Sequence, residues 1–182
     1  IAENVTAIDV TSKPLKVTYE SGEVTADVVI LAMGADHKHM GLESEEKLRG
    51  KGVSYCATCD GFFFRGKDIA VIGGGDTAME EATFLTKFAN KVYIVHRREE
   101  FRASEIMVEE AKADPKIEFI LNSEVKEVIG ESTVTSLRLY NNQTKKESTL
   151  DVQGVFVAVG LKPNSEIVDG KIELDAKGYI VA

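Results

Sequence analysis

The stretch Asp68-Ile69-Ala70-Val71-Ile72-Gly73-Gly74-Gly75-Asp76-Thr77-Ala78 decides the fold of this chain. Asp68 to Ile72 is a short apolar run of the kind that forms a buried parallel strand. Thr77 to Phe88 places apolar residues at 78, 82 and 85 with charge at 81 and 87, the spacing of an amphipathic helix. Between them stands Gly73-x-Gly75-x-x-Ala78. Gly73 permits a tight strand-to-helix turn, Gly75 lets backbone approach a pyrophosphate, and small Ala78 lets helix and strand pack closely. The helix N-terminus offers free N–H groups and partial positive charge to an anion. Gly73, Gly74, Gly75, Asp76, Thr77 and Ala78 are therefore candidate dinucleotide-binding residues. The competing reading is a glycine-rich turn with no ligand; the strand before and the helix after weigh against it.

Moving toward the C-terminus, Lys91 to Val95 reads as the next strand. An acidic residue at its end would bind the ribose 2′-hydroxyl of NAD. The chain has His96-Arg97-Arg98 instead, with Arg102 four residues beyond Arg98. Guanidinium groups pair with phosphate in a bidentate way, so the 2′-phosphate of NADP is the expected ligand. The alternative is a solvated charge cluster, since Glu99 and Glu100 interrupt the basic run. A second helix is expected over Ala103 to Lys112, stopped by Asp114-Pro115. Strands follow at Lys116 to Leu121, Glu124 to Ile129, Val134 to Tyr140, Glu147 to Val152 and Gln153 to Val159; the middle three look antiparallel. The fold class is α/β.

Moving toward the N-terminus, Cys56-Ala57-Thr58-Cys59-Asp60 lies a few residues before the glycine turn, and its cysteines are the chain's two. A structural zinc wants four Cys or His ligands. His37, His39 and His96 could contribute, but no second Cys-x-x-Cys is present, so no metal is expected. A purely structural disulfide would close a short loop and constrain the unfolded chain little. A redox dithiol is the reading preferred. Asp60 could move protons beside it, or could be a turn residue before Gly61. Phe62, Phe63 and Phe64 read most simply as core. Residues 1–34 read as β-rich, with strands at Asn4–Val10 and Leu15–Tyr19, a hairpin turn at Ser21-Gly22 and a buried strand at Val28–Ala32. Residues 35–52 are polar and look like a linker; Lys162 to Ser165 looks like a second.

The 182 residues are 43% hydrophobic and 29% charged, enough for a sizeable core. A net charge of −8 argues against nonspecific nucleic-acid binding. No apolar run approaches the ~20 residues of a membrane span, and no secretory signal opens the chain, so a cytoplasmic protein is expected. The absence of an initiator Met and the strand-like ending at Gly178 to Ala182 lead us to expect a piece of a longer protein.

Taken together, Cys56-Ala57-Thr58-Cys59-Asp60-Gly61-Phe62-Phe63, the Gly73–Ala78 turn and His96-Arg97-Arg98-x-x-x-Arg102-Ala103 resemble bacterial-type, low molecular weight thioredoxin reductases. The resemblance covers essentially the whole chain. It implies a Rossmann-like three-layer NADPH domain with a β-meander over residues 39–163, inserted in an FAD domain of which residues 1–38 and 164–182 are parts. It implies a homodimeric parent that passes electrons from NADPH through FAD and the dithiol to thioredoxin. Cys56 would attack thioredoxin, Cys59 would face the flavin, and Phe62 and Phe63 would meet thioredoxin. The inserted domain would rotate on two linkers. Val29 to Gly34 is similar to the family's strand ending in Ala-Thr-Gly, with Met33 in place of the usual Thr. The glycine-rich turn that cradles FAD pyrophosphate has no counterpart here, nor has the Gly-Asp segment that contacts the flavin. This chain is therefore expected to bind FAD poorly or not at all and to be inactive by itself. Related alternatives are the flavin subunit of a peroxiredoxin reductase, which prefers NADH and so sits badly with Arg97 and Arg98, and an NADPH-binding module without turnover. A dithiol oxidase that uses oxygen is disfavoured by Gly73, Gly75 and Arg97.

Overall fold

The computed structural model describes residues 2–181. The chain divides into two compact units, residues 37–160 and residues 1–36 with 161–182.

In the smaller unit β1 (Val5–Asp9), β2 (Leu15–Tyr19) and β3 (Gly22–Ala26) form an antiparallel sheet. Its turn falls at Glu20-Ser21, one residue before the expected Ser21-Gly22, with Tyr19 paired to Gly22. β4 (Ala35–His37) pairs with β13 (Leu161–Pro163). The buried strand expected at Val28–Ala32 does not form: Val28 is 77% and Ile30 88% exposed. The physical reason is that a strand needs a partner to take its N–H and C=O groups, and among the described residues none pairs with this run. The strand-like ending also resolves differently. Leu174 and Ile180 meet in one isolated bridge around a turn at Asp175, and Ala182 lies outside the described residues. The Lys162–Ser165 segment is not a bare linker either. It carries the last two residues of β13, and Ser165 is buried with its hydroxyl donating to the Gly178 carbonyl.

The larger unit contains α1 (Glu43–Lys47), β5 (Val53–Ser54), α2 (Ala57–Asp60), β6 (Asp68–Gly73), α3 (Asp76–Leu85), β7 (Lys91–Val95), α4 (Glu105–Ala113), β8 (Ile117–Ile120), β9 (Ser123–Gly130), β10 (Val134–Asn141), β11 (Glu147–Asp151) and β12 (Gly154–Ala158). Five strands make a parallel sheet in the order β5-β12-β6-β7-β8. Strand β6 alternates its faces, as the period of 2 requires. Ile69 and Val71 join Ala78, Met79, Ala82 and Leu85 under the helices. Ala70 and Ile72 join Val128, Leu137 and Leu139 of the antiparallel β9-β10-β11 meander on the other side. The result is three layers, helices over parallel sheet over meander, as the resemblance implied.

The polar segment 35–52 is not the linker its composition suggested. From His37 onward it belongs to the larger unit. Leu48 is fully enclosed in the meander-side core, and Ser44 accepts the Val128 N–H at 3.0 Å. Glu45 is wholly buried. Its carboxylate accepts the N–H groups of Met40 and Gly41 at 3.1 and 3.0 Å, and the Tyr55 hydroxyl at 2.8 Å. A buried carboxylate with several donors is what makes so polar a stretch foldable.

Candidate functional site

The sheet order reverses between β6 and β12, so a crevice opens at the C-terminal ends of those strands, where open α/β sheets bind ligands. The glycine turn lies there. Each glycine has its own reason. A Cβ on Gly73 would run into the Ala158 carbonyl and the Ala78 side chain, so this glycine lets β6, β12 and α3 close together. A Cβ on Gly74 would land on the His96 ring. A Cβ on Gly75 would meet nothing within 4 Å. Packing therefore leaves Gly75 free of constraint, and its bare backbone faces open space at the start of α3.

The basic loop is bound to this turn by its backbone. The Gly74 carbonyl accepts the N–H groups of Arg102 and Ala103 at 2.7 and 3.2 Å. Asp76 accepts the Ser104 N–H at 2.7 Å, which joins the first residue of α3 to the loop that opens α4. A cavity of about 400 Å³ results, walled by Gly73, Gly74, His96, Arg97 and Arg102 among others. Arg97, Arg98 and Arg102 are exposed, and the arginines that form ion pairs among the described residues are Arg49 and Arg138. Three guanidinium groups are thus left with unspent donors, and Arg97 and Arg102 line the cavity. Arg98 does not line it.

His96 plays a different part from the arginines. Its ring is buried, stacks on Phe101 at 5.4 Å, and donates from Nε2 to the Glu100 carbonyl at 3.1 Å. Burial pushes its pKa below the ordinary imidazole range, and the charges of Arg102, Arg97 and Arg98 push the same way. It is a neutral platform under Gly74 rather than another cation.

The turn fits a dinucleotide: an open approach at Gly75, a helix start beside it, and free guanidinium groups at the far wall. The smaller unit has no comparable strand–glycine–helix turn among its described residues.

On the same unit, Cys56 and Cys59 form a disulfide with Cα atoms 5.3 Å apart. Cys56 caps α2. Its sulfur accepts the Cys59 N–H at 3.2 Å and lies 3.3 Å from the Thr58 hydroxyl. Asp60 accepts the Ser54 hydroxyl at 2.6 Å, and Ser54 in turn accepts the Cys56 N–H at 3.1 Å. Ser54 was missed from sequence; a serine two residues before the first cysteine is its one local signal. Of the three phenylalanines, Phe64 is buried, stacking edge-on against Phe156. Phe62 and Phe63 are 60% and 70% exposed, and the Arg65 guanidinium lies 5.0 Å over the Phe62 ring. The core reading therefore holds for Phe64 alone.

A nucleotide cradle and a Cys-x-x-Cys disulfide on one three-layer unit define a nicotinamide-linked disulfide oxidoreductase class. Residues 1–182 match the pyridine nucleotide-disulphide oxidoreductase family throughout, and the chain belongs to that family. It is similar to the thioredoxin reductase of Mycolicibacterium smegmatis, 54% identical over 179 residues, covering 98% of this chain and 57% of that protein. It is similar also to the bifunctional thioredoxin reductase/thioredoxin of Mycobacterium leprae, 54% identical over 170 residues, covering 92% of this chain and 37% of that one. The crystal structure of Lactococcus lactis thioredoxin reductase in its FR conformation superposes with a TM-score of 0.89 at 39% identity, over 99% of this chain and 60% of that chain. The chain thus spans a little over half the length of the first of these relatives. No described helix is long and apolar enough to cross a membrane.

Proposed function

We propose that this chain is the NADPH-binding and dithiol portion of a flavin-dependent thioredoxin reductase, in which electrons pass from NADPH through FAD and Cys56–Cys59 to thioredoxin. The observation that carries it is the open Gly75 turn walled by Arg97 and Arg102 on the same unit as the Cys56–Cys59 disulfide. In this reading residues 39–163 are the NADPH domain, and residues 1–38 and 164–182 belong to the FAD domain. On the same resemblance the whole protein is a cytoplasmic homodimer.

NADPH, when bound, supplies a hydride. Gly73, Gly74, Gly75, Thr77 and Ala78 would hold its pyrophosphate against the start of α3. Asp76 fixes the basic loop, and Arg97 and Arg102, which line the cavity, would take the 2′-phosphate beside the neutral His96, with Arg98 adding positive charge from outside it.

In the reduced chain Cys56 is the attacking sulfur. The Cys59 N–H and Thr58 hydroxyl that now contact it would stabilise a thiolate. The Cys56 thiolate attacks one sulfur of the thioredoxin disulfide, forming a mixed disulfide and releasing the other sulfur as a thiolate. Cys59 then attacks Cys56, restoring the Cys56–Cys59 bond and releasing the thioredoxin dithiol. Asp60, oriented by Ser54, takes and returns the protons. Phe62, Phe63 and Arg65 form the exposed aromatic and basic patch that thioredoxin would cover. The bifunctional M. leprae relative, whose name joins the two proteins, supports that partner.

The test is a titration of NADPH and NADH against the chain and against Arg97→Ala and Arg102→Ala. Each lost charge-assisted phosphate contact should weaken NADPH by about 1.5–3 kcal/mol and leave NADH nearly unchanged. Equal affinities for both cofactors would remove the NADPH assignment.

A further inference from the structure

The cavity at the glycine turn has a wall beyond its glycines and arginines. Lys38 and His39 line it too, and both belong to the larger unit. Their place is fixed from two directions. The Lys38 N–H donates at 2.9 Å to the carbonyl of Gly160, which stands just past the end of β12. The His39 Nδ1 lies 2.8 Å from the Tyr55 hydroxyl and 2.9 Å from the Glu46 carboxylate. A tyrosine hydroxyl has one hydrogen, and that of Tyr55 goes to Glu45. The His39 Nδ1 therefore carries a hydrogen and donates, and its ring is held through Tyr55 on the enclosed Glu45 carboxylate. Nε2 is left without a hydrogen-bond partner among the described residues. Lys38 is free as well: the lysines in ion pairs among the described residues are Lys16, Lys91, Lys112, Lys126 and Lys162. Glu124, the carboxylate on the cavity wall, is engaged by Lys126 at 2.7 Å and Asn142 at 3.1 Å.

A dinucleotide is a two-ended ligand, and the sheet gives each end a side. β7, which leads into Arg97 and Arg102, and β12, which leads to Val159 and the Lys38 contact, flank β6 on opposite sides. With the pyrophosphate over the turn after β6 and the 2′-phosphate on Arg97 and Arg102, the other end of the cofactor runs toward β12. We infer that Lys38 and His39 bind the nicotinamide nucleotide half, Lys38 as the cation for its phosphate and His39 through the unpartnered Nε2. A ribose hydroxyl can donate to that nitrogen in the neutral ring, and a phosphate can accept from it in the protonated ring. The inference rests on the nucleotide reading of the turn and deepens it. Arg97 and Arg102 read the group that separates NADPH from NADH, whereas Lys38 and His39 read the half that the two cofactors share.

The experiment titrates the 182-residue chain with NADP+, NAD+ and 2′,5′-ADP, the last of which keeps the adenosine phosphates and lacks the nicotinamide half. Lys38→Ala and His39→Ala should each weaken NADP+ and NAD+ by about tenfold and leave 2′,5′-ADP within about twofold of wild type. Arg97→Ala should weaken NADP+ and 2′,5′-ADP and spare NAD+. Wild-type affinity for NADP+ and NAD+ in both Lys38→Ala and His39→Ala, or an equal loss of 2′,5′-ADP, would overturn the inference. An Arg97→Ala chain that loses affinity for none of the three would instead overturn the nucleotide reading beneath it. If His39→Ala does not fold, imidazole NMR of wild type decides. The His39 ring signals should move with NADP+ and NAD+ and stay in place with 2′,5′-ADP, and any other pattern would refute the contact.

Discussion

Half-buried Glu81 of α3, whose Oε2 is enclosed and without a hydrogen-bond partner among the described residues, writes a signature into stability. Its folded pKa of about 7 lies above the 4.5 of an ordinary glutamate. Between those values the folded chain holds a proton that the unfolded chain has released, so rising pH removes stability across that window and no more above it. Glu81→Gln carries no such proton. Urea midpoints measured at pH 5, 6, 7 and 8 should therefore move in favour of Glu81→Gln from pH 5 to 7 and then run parallel. A constant offset from pH 5 to 8 would mean that Glu81 ionises normally in the fold. Glu45 makes the contrast. It is more deeply buried, yet it is met by three backbone N–H groups and the Tyr55 hydroxyl. Burial alone does not decide what a carboxyl does; the donors around it do.

At the scale of the element, the strand–turn–helix of β6 and α3 separates packing from binding within three consecutive glycines. Gly73→Ala would push a methyl into the Ala158 carbonyl and the Ala78 side chain. It should destabilise the fold by about 1–3 kcal/mol. Gly75→Ala meets no atom, so its stability should stay within about 1 kcal/mol of wild type. It should nevertheless weaken NADPH by at least about tenfold, because the methyl enters the approach to the α3 start. Thermal melts with and without NADPH check both halves. A Gly75→Ala chain that kept full affinity would show that the pyrophosphate lies elsewhere. Most of this element was legible from residues alone. Apolar run, glycine spacing and the 78, 82, 85 stripe are all local, and all three stripe positions are fully buried. The same local reading expected helix over Thr77–Phe88 and Ala103–Lys112; the helices run Asp76–Leu85 and Glu105–Ala113. The ends shifted because helix termini are decided by capping and by neighbouring chain. Here the Gly74 carbonyl and Asp76 hold Arg102 to Ser104 outside α4.

At the scale of the whole molecule, the two units differ in what their apolar residues meet. In the larger unit β6 is sandwiched between two cores. In the smaller one Val28 to Gly34 carries strand-like residues that pair with no strand among the described residues. Amide hydrogen exchange should follow: Val28 to Gly34 should exchange nearly as fast as unfolded chain, and Ile69 to Ile72 should be the slowest. Protection at Val28–Gly34 comparable to β6 would show that this run pairs after all.

Sequence by itself determined what depends on near neighbours and on period: the α/β class, the parallel strands, the meander, the glycine turn, the Cys-x-x-Cys and the basic loop after β7. It could not decide features that depend on which distant residue arrives. Val28–Ala32 has the composition of a buried strand, and only pairing makes a strand. Residues 35–52 have the composition of a linker, and Glu45, gathering donors from Met40, Gly41 and Tyr55, helps fold those from His37 onward into the larger unit. His96 reads as one more basic residue, and its place beneath Gly74 makes it a neutral platform. Ser54 carries only its place two residues before Cys56 as a local signal. Its meaning comes from Asp60, which α2 brings against it. Periodicity is written along the chain, whereas burial and hydrogen-bond partnership are properties of what the fold brings together.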